Sequence, residues 1–420
     1  MRRHIWLGLL AGLMPLATGL HAENWPRFRG PTGQGVSTET DLPLEWDAAK
    51  NVAWKTPIPG DGWSSPIVWD DRVYVTTATD NGESCHILAL DRGTGRIVWD
   101  REVFRQELKR KENKNSFATP TPCTDGERIY ACFADGSFAA VNLAGEVVWT
   151  NRDYPFYSKH GLGESPIVYR HLVIMPRDGS SPGPDIKVGW KEPWDQAFVV
   201  ALDAATGQEV WKASRGMSRV SHMTPIVLSV DGRDQLISPA GDRIQGFDPL
   251  TGTLLWSAYS QGEGVTPSPV AANGLLYTSS GFEKPTVRTV NLAGARGDVT
   301  DTHIQWEQLK GTPTQSSLIY VEPLLYAVSD NGVLSCYDGQ AGDVVWQDRL
   351  GGTFCASPVY ADGRLYFLSE QGETTVVRPG REFTVLAKNV IDERCQASLA
   401  VSSGRLFLRT ERHVYCIANQ

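Results

Sequence analysis

The stretch Ala89-Leu90-Asp91-Arg92-Gly93-Thr94-Gly95-Arg96-Ile97-Val98-Trp99 decides the fold. It joins a small residue, an Asp, a Thr-Gly turn and a Trp that closes a short apolar run, Ile97-Val98-Trp99. The pattern returns as Ala201, Asp203, Thr206, Gly207 and Trp211, and again as Gly246, Asp248, Thr251, Gly252 and Trp256. Looser copies are Ala140, Asn142, Gly145, Trp149 and Cys336, Asp338, Gly342, Trp346. Self-similarity at a period of roughly 20–50 residues signals an array of small structural units. Here the units are sheets, because the runs between turns alternate apolar and polar residues.

Each repeat divides into four strands. The first begins at a Ser-Pro or Thr-Pro pair: Ser65-Pro66, Thr121-Pro122, Ser165-Pro166, Thr224-Pro225, Ser268-Pro269 and Ser357-Pro358. Proline donates nothing to a ladder and therefore belongs at a strand's first residue or on an edge. Hairpin signals follow at Asp70-Asp71, Asp125-Gly126, Asp231-Gly232, Asn273-Gly274 and Asp362-Gly363. The third strand ends at the motif Asp, and the fourth carries the Trp. Asp91, Asp203, Asp248 and Asp338 are expected to lock turns, and Trp99, Trp211, Trp256 and Trp346 to fill the wedge between neighbouring sheets.

Fourth-strand tryptophans fall at Trp54, Trp99, Trp149, Trp211, Trp256, Trp306 and Trp346. The repeat from Ser357 to Val390 lacks one, and its fourth strand is expected at Phe383 to Ala387. Trp54 has a fourth strand with no preceding three, and the chain ends on three strands, Ala397 to Ile417. Joining the two ends completes one more sheet. The expectation is an all-β, eight-bladed β-propeller over 47–420, its last blade closed by both termini, with an extended segment at 23–46. Seven blades is the alternative, if Ser357 to Val390 merges with its neighbour.

Residues 1–22 read as a secretory signal peptide: Arg2 and Arg3, an apolar run from Ile5 to Leu20, then Ala22. No Cys lies in or just after that run, so a lipoprotein anchor is not expected, and the protein is expected in the periplasm or outside the cell. The formal charge is −8, becoming −10 without the two leader arginines. That balance disfavours nucleic acid as a partner. The basic run Lys109-Arg110-Lys111 is interleaved with Glu107 and Glu112 and reads as a solvated loop. The seven cysteines show no Cys-x-x-Cys spacing, so no metal site is expected. Cys355 and Cys395 both stand at the start of an innermost strand in consecutive repeats, where a disulfide is possible.

The repeat A-x-D-x-x-T-G-x-x-x-W is similar to that of the pyrroloquinoline-quinone-like propellers, from about Trp46 to the end. That superfamily has two functional branches. The quinoprotein dehydrogenase branch implies a bound quinone (PQQ) above Ca²⁺, with an Asp base and a disulfide between adjacent cysteines. This chain has no adjacent Cys pair and no long insertions of the kind that build such a site. The non-catalytic outer-membrane assembly branch implies a scaffold that binds another protein through loops on one face. The resemblance is nearer to this second branch, so no cofactor is expected, with PQQ and Ca²⁺ as the alternative.

The loops leading into the innermost strands converge near the central channel. They hold His160, Glu164, Arg219, His222, Glu263, Glu393 and Arg394, a set able to bind a small ligand or to satisfy a polar channel mouth. An insertion from about Arg177 to Gln196 carries Trp190 and Trp194, read as two exposed tryptophans facing a partner. A smaller insertion, Ala293 to Thr302, is expected to be flexible. The sequence thus points to a monomeric envelope scaffold that binds another protein or a small ligand, with a quinone-dependent dehydrogenase as the other reading.

Overall fold

The computed structural model describes residues 23–420; the expected leader at 1–22 lies outside the described residues. Eight antiparallel sheets stand in a ring. Blade 1 consists of Ile67–Trp69, Arg72–Thr79, Ser84–Asp91 and Ile97–Arg105, running from the channel outward. Six further blades follow in chain order. The last takes Ala400–Ser402, Arg405–Arg409 and His413–Ile417 from the end of the chain and Val52–Pro57 as its outer strand. Trp54 lies opposite Cys416 across that junction. Closure of the ring leaves each sheet only short, protected edges.

The seven-blade alternative fails because Val359–Ala361, Arg364–Leu368, Glu373–Val377 and Val385–Val390 form a sheet of their own, blade 7. Its outer strand begins later than the sequence suggests. Phe383 stays in the preceding turn because its ring packs on Trp346, with centroids 5.2 Å apart.

The repeated motif locks blade to blade. The Asp91 carboxylate accepts hydrogen bonds from the Gly93 and Thr94 N–H groups and from the Thr94 hydroxyl, at 3.1, 2.9 and 2.8 Å. Asp203 does the same for Ala205 and Thr206 at 2.9–3.1 Å. The turn so formed meets the indole of the preceding blade. Trp54 donates its Nε1–H to Arg92 O (2.9 Å), Trp99 to Leu143 O (3.1 Å), Trp149 to Ala204 O (3.0 Å) and Trp211 to Pro249 O (3.2 Å). Trp306 and Trp346 reach Gly339 O and Gly380 O in the same manner. The turn glycine is required twice over. Gly207 has φ of +71°, and a Cβ there would lie 2.5 Å from the Trp149 ring.

Two blades depart from the pattern. In blade 4 the turn that should receive Trp256 is the insertion 293–302. That segment is ordered, not flexible as expected: Gly297–Asp298 pairs in parallel with Trp256 and Ser257, and Thr300–His303 forms a short helix. Trp256 is thereby sealed, fully buried, and donates inside its own blade to Gln235 Oε1 at 2.8 Å. Its indole lies against Gly246, where a Cβ would come within 2.2 Å of Nε1, so the alanine of the other repeats has no room.

In blade 7 the Trp position is Ala387, opposite Val376. Its indole comes instead from the N-terminal segment. Trp46 stacks on Tyr366 at 6.3 Å and is held by Asn389 Oδ1, which accepts its backbone N–H at 2.8 Å. Other blades build the same Tyr–Trp contact internally, as Tyr74–Trp99 at 5.9 Å and Tyr326–Trp346 at 5.9 Å.

The rest of the 23–46 segment fills the lower end of the channel, on the face that carries the hairpin and Thr-Gly turns. Trp25 pairs with Val68 of blade 1, and Thr124 of blade 2 donates to Pro26 O at 3.0 Å. Ala271 of blade 5 donates to Gln34 Oε1, Val36 bridges to Tyr360 of blade 7, and Glu39 accepts from Ser403 and Gly404 of blade 8. At the centre Arg29, fully buried, donates to Leu318 O at 2.6 Å. Burial alone pushes its guanidinium down to about 9.

Candidate functional site

With the lower end filled, the channel opens on the opposite, upper face as a funnel of about 530 Å³. Phe28 of the N-terminal segment lines it, together with residues from all around the ring. Its waist is a closed belt of hydroxyls, one from the start of each innermost strand. Ser65 N–H donates to Thr121 Oγ1, Thr121 to Ser165 Oγ, Ser165 to Thr224 Oγ1 and Thr224 to Ser268 Oγ, at 2.9–3.1 Å. Ser268 donates to Ser317, Ser317 to Ser357, Ser357 to Ser398 and Ser398 back to Ser65, at 2.8–3.2 Å. Each innermost strand thus satisfies its neighbour's first N–H. The Ser-Pro pairs were legible for their proline; the hydroxyl is the more constant part, since Ser317-Leu318 and Ser398-Leu399 keep it without proline.

Above the belt the mouth is asymmetric. On the side of blades 3 to 5 it carries His160, His222, Glu263, Trp190 and Phe282. The ring centroids of His160 and His222 are 6.0 Å apart, edge to face, and His160 meets Trp190 at 5.9 Å. Burial, then the positive fields of His222, Lys159, Lys191 and Arg110, hold the His160 imidazole down at about 4, so it is neutral at ordinary pH. Glu164, fully buried, stands with its Oε2 3.6 Å from His222 Nδ1 and accepts from Gly163 N–H at 3.1 Å. Lys191 forms an ion pair with Glu263. Lys159 and Lys191 lie 3.5 and 4.8 Å from the centroid of the Trp190 ring.

Of the loop residues expected at the channel mouth, the structure brings His160, Glu164, His222 and Glu263 together, and Trp190 of the separate insertion joins them. The other candidates are elsewhere. Trp194 is tucked under Gly189 and paired with Ser218, away from the funnel, and neither it nor Trp190 is openly exposed; each is half-buried. The insertion folds back because Val220 N–H donates to Gly189 O and Trp194 N–H to Ser218 O, which ties it to the neighbouring blade's loop. Arg219 turns from the channel to Asp242 and Glu283, at 2.7 and 2.6 Å. Arg394 lies over the Trp63 ring at 5.4 Å, and it is Trp63 that lines the funnel. Glu393 joins Lys55, Thr410, His413 and Tyr415 in the closing blade. Burial opposes its charge, but those hydrogen bonds outweigh it and hold the carboxyl down at about 2. Cys355 and Cys395 do not pair: all seven cysteines are free, with the Cys355 thiol facing Gln396 O and the Cys395 thiol facing Glu393 O.

The funnel does not fit a quinone on Ca²⁺. A hard cation of that size takes about six to eight oxygen ligands. Here Glu263 gives one oxygen to Lys191, Glu112 faces His160 at 3.6 Å, each belt hydroxyl already accepts a backbone N–H, and the unpartnered carboxylate oxygens of Glu263 and Glu164 are too few for such a shell. No group of three or more metal-ligating side chains converges among the described residues. A buried two-charge cluster, Arg215 with Asp178 at 2.8 Å, lies outside the funnel lining and reads as structural.

Comparison with known proteins places this geometry in a family. The family model described as outer membrane protein assembly factor BamB matches residues 35–153, 195–322 and 298–379. The BamB of Moranella endobia is 26% identical over 198 residues, 42% of this chain and 48% of that protein. The BamB of Alteromonas naphthalenivorans is 26% identical over 291 residues, 61% of this chain and 60% of its own length. Subunit 1 of the methanol dehydrogenase (cytochrome c) of Methylobacterium organophilum is 25% identical over 141 residues, 32% of this chain but 22% of that protein. The chain thus matches about a fifth to three-fifths of the length of these relatives. Among solved structures, BamB from Moraxella catarrhalis superposes with a TM-score of 0.60 at 14% identity, covering 87% of this chain and 96% of that one. The quinohemoprotein alcohol dehydrogenase of Comamonas testosteroni gives 0.64 at 11% identity, covering 94% and 81%, so the shared ring spans both branches. The family model covers most of the ring, and the chain belongs to the family described as outer membrane protein assembly factor BamB.

Proposed function

We propose that this protein is an exported, non-catalytic scaffold of the cell envelope, and that it captures another envelope protein with its upper face. The observation that carries the reading is the one-sidedness of the ring. The 23–46 segment fills the lower end, while the upper end is open and rimmed by the 177–196 insertion, with the half-buried Trp190 on the funnel wall. A partly accessible Trp such as Trp190 is the residue type that anchors protein-binding surfaces. Family membership and the unsuitable donor set for Ca²⁺ both support a role without a quinone.

The test is site-specific photo-crosslinking in the native envelope. A crosslinker replacing Trp190 should capture a component of outer-membrane protein assembly, and one replacing Leu143 on the lower turns should not. Deleting 182–194 should abolish that capture while the circular dichroism of the ring persists. Equal capture from both faces, or capture unchanged by the deletion, refutes the reading. Purified protein supplied with the quinone and Ca²⁺ should reduce no dye in the presence of alcohols or sugars; turnover would restore the dehydrogenase alternative.

A further inference from the structure

One wall of the funnel holds hydrogen-bond acceptors that nothing satisfies. Glu263 Oε2 is buried and without a partner, and so are both ring nitrogens of His222. Both residues line the cavity. Behind His222 stands Glu164, fully buried, whose Oε1 is also unpartnered. The tautomer that turns the Nδ1–H of His222 toward Glu164 leaves Nε2 as a second acceptor in the same funnel lining as Glu263. Buried acceptors of this kind cost free energy until a donor arrives. Among the described residues the cations of the opposite wall are engaged, and on this wall Lys159 stands over the Trp190 ring at 3.5 Å, away from Glu263 in its contacts. Lys114 is bonded to Gln315 at 2.7 Å, and Arg394 is stacked on Trp63.

Lys191 shows what this wall accepts. It projects from the insertion, its side chain 47% exposed, and sets its ammonium on Glu263 Oε1 at 4.8 Å from the Trp190 ring centroid. A primary ammonium held by a carboxylate against an indole is therefore already built, and it is supplied by a tether that can leave. We propose that the His222–Glu263–Trp190 wall is a receptor for a primary ammonium group on an incoming ligand, which displaces Lys191 as it binds. The rest of such a ligand lies along Phe282 and Phe28. Gln396 Nε2, an unpartnered buried donor on the lining, meets a carbonyl oxygen of the ligand. An ammonium and a carbonyl together describe a lysine side chain on a peptide, or a small free amine that uses the first contact alone. The inference deepens the scaffold reading by naming what the upper face recognises.

Calorimetry on the purified protein tests it with three probes: an acetylated, amidated tripeptide with a central lysine, the same tripeptide with that lysine Nζ-acetylated, and n-pentylamine. The lysyl peptide should bind saturably and the Nζ-acetylated one should not. Glu263→Gln should weaken binding by about tenfold, the loss expected from one charge-assisted hydrogen bond. Lys191→Met should act in the opposite direction and tighten binding by about tenfold, since it removes the internal competitor. A residue with only a structural role cannot produce that opposite sign. Pentylamine binding as well as the lysyl peptide would identify the free amine as sufficient; pentylamine failing would identify the peptide. Equal binding of the Nζ-acetylated peptide, or no gain in Lys191→Met, overturns the proposal. If amine binding holds while the Trp190 crosslink captures nothing, the scaffold reading falls and the receptor wall stands.

Discussion

Replacing Trp46 with alanine is expected to destabilise a blade to which Trp46 does not belong in sequence. The indole is 3% exposed and stacks on Tyr366, above the place where blade 7 has Ala387. Truncating a buried Trp to Ala costs about 3–5 kcal/mol. With an unfolding entropy of about 2.1 cal/mol/K per residue, a chain of roughly 400 residues loses about 1.2 °C of Tm per kcal/mol. Trp46→Ala should therefore lower Tm by about 4–6 °C, and Trp346→Ala, where the indole is native to its blade but only half-buried, by less. The decisive measurement is the pair with Ala387→Trp, followed by scanning calorimetry. Alone, Ala387→Trp crowds Trp46 and should lower Tm; in the Trp46→Ala background it should raise it, because the indole returns from the other direction. Additive effects of the two changes, or a Trp46→Ala protein melting within about 1 °C of the parent, would refute the claim that the N-terminal segment completes blade 7.

Other expectations follow from the same geometry. Gly207→Ala and Gly294→Ala both place a side chain at positive φ, but only the former drives a Cβ into an indole, that of Trp149; urea unfolding should show Gly207→Ala the more destabilised, by about 1–3 kcal/mol. Ser317→Ala removes the acceptor of the Ser268 N–H in the belt, and chemical denaturation should register a loss of about 1–3 kcal/mol for the stranded donor. Glu393 is held at about 2, below its ordinary 4.5, so its contribution is complete above pH 4.5 and fades as pH falls toward 2; the Tm gap between the parent and Glu393→Gln should narrow over that interval. With every thiol free, intact mass after denaturation and alkylation should be the same with and without prior reduction.

What could be read from the chain was what is local. The Asp91–Thr94 turn and Trp99 lie within a few residues of one another, so their pattern survives in the sequence and gives both the blade and the count. Contacts between distant residues leave no such trace. Trp46 and Tyr366 are far apart along the chain, and nothing about a Trp before Asp47 marks it as the missing indole of blade 7. The 293–302 insertion looked loose because it is rich in Gly and charge; its partner is the outer edge of the previous blade, which only folding brings beside it. At the mouth, loop position correctly predicted convergence, but not direction. Arg219 found Asp242 and Glu393 found the closing blade, since a charged side chain near a ring of sheets settles on whichever opposite charge removes it most fully from isolation. The belt was visible in outline, as Ser or Thr at the head of every innermost strand, once proline is no longer taken as the reason for the pair.

The filled lower end has a consequence for biogenesis. A ribosome makes residues 23–46 before any complete blade, yet their resting places include Tyr360, Asn389 and Ser403, made near the end. Trp25 can meet Val68 as soon as blade 1 exists, but Trp46 must wait for Tyr366 and Asn389 until nearly the whole chain has been made. Until then the indole is exposed apolar surface on an incomplete ring, and the docking of 42–46 on blade 7 is the last step that removes it from water.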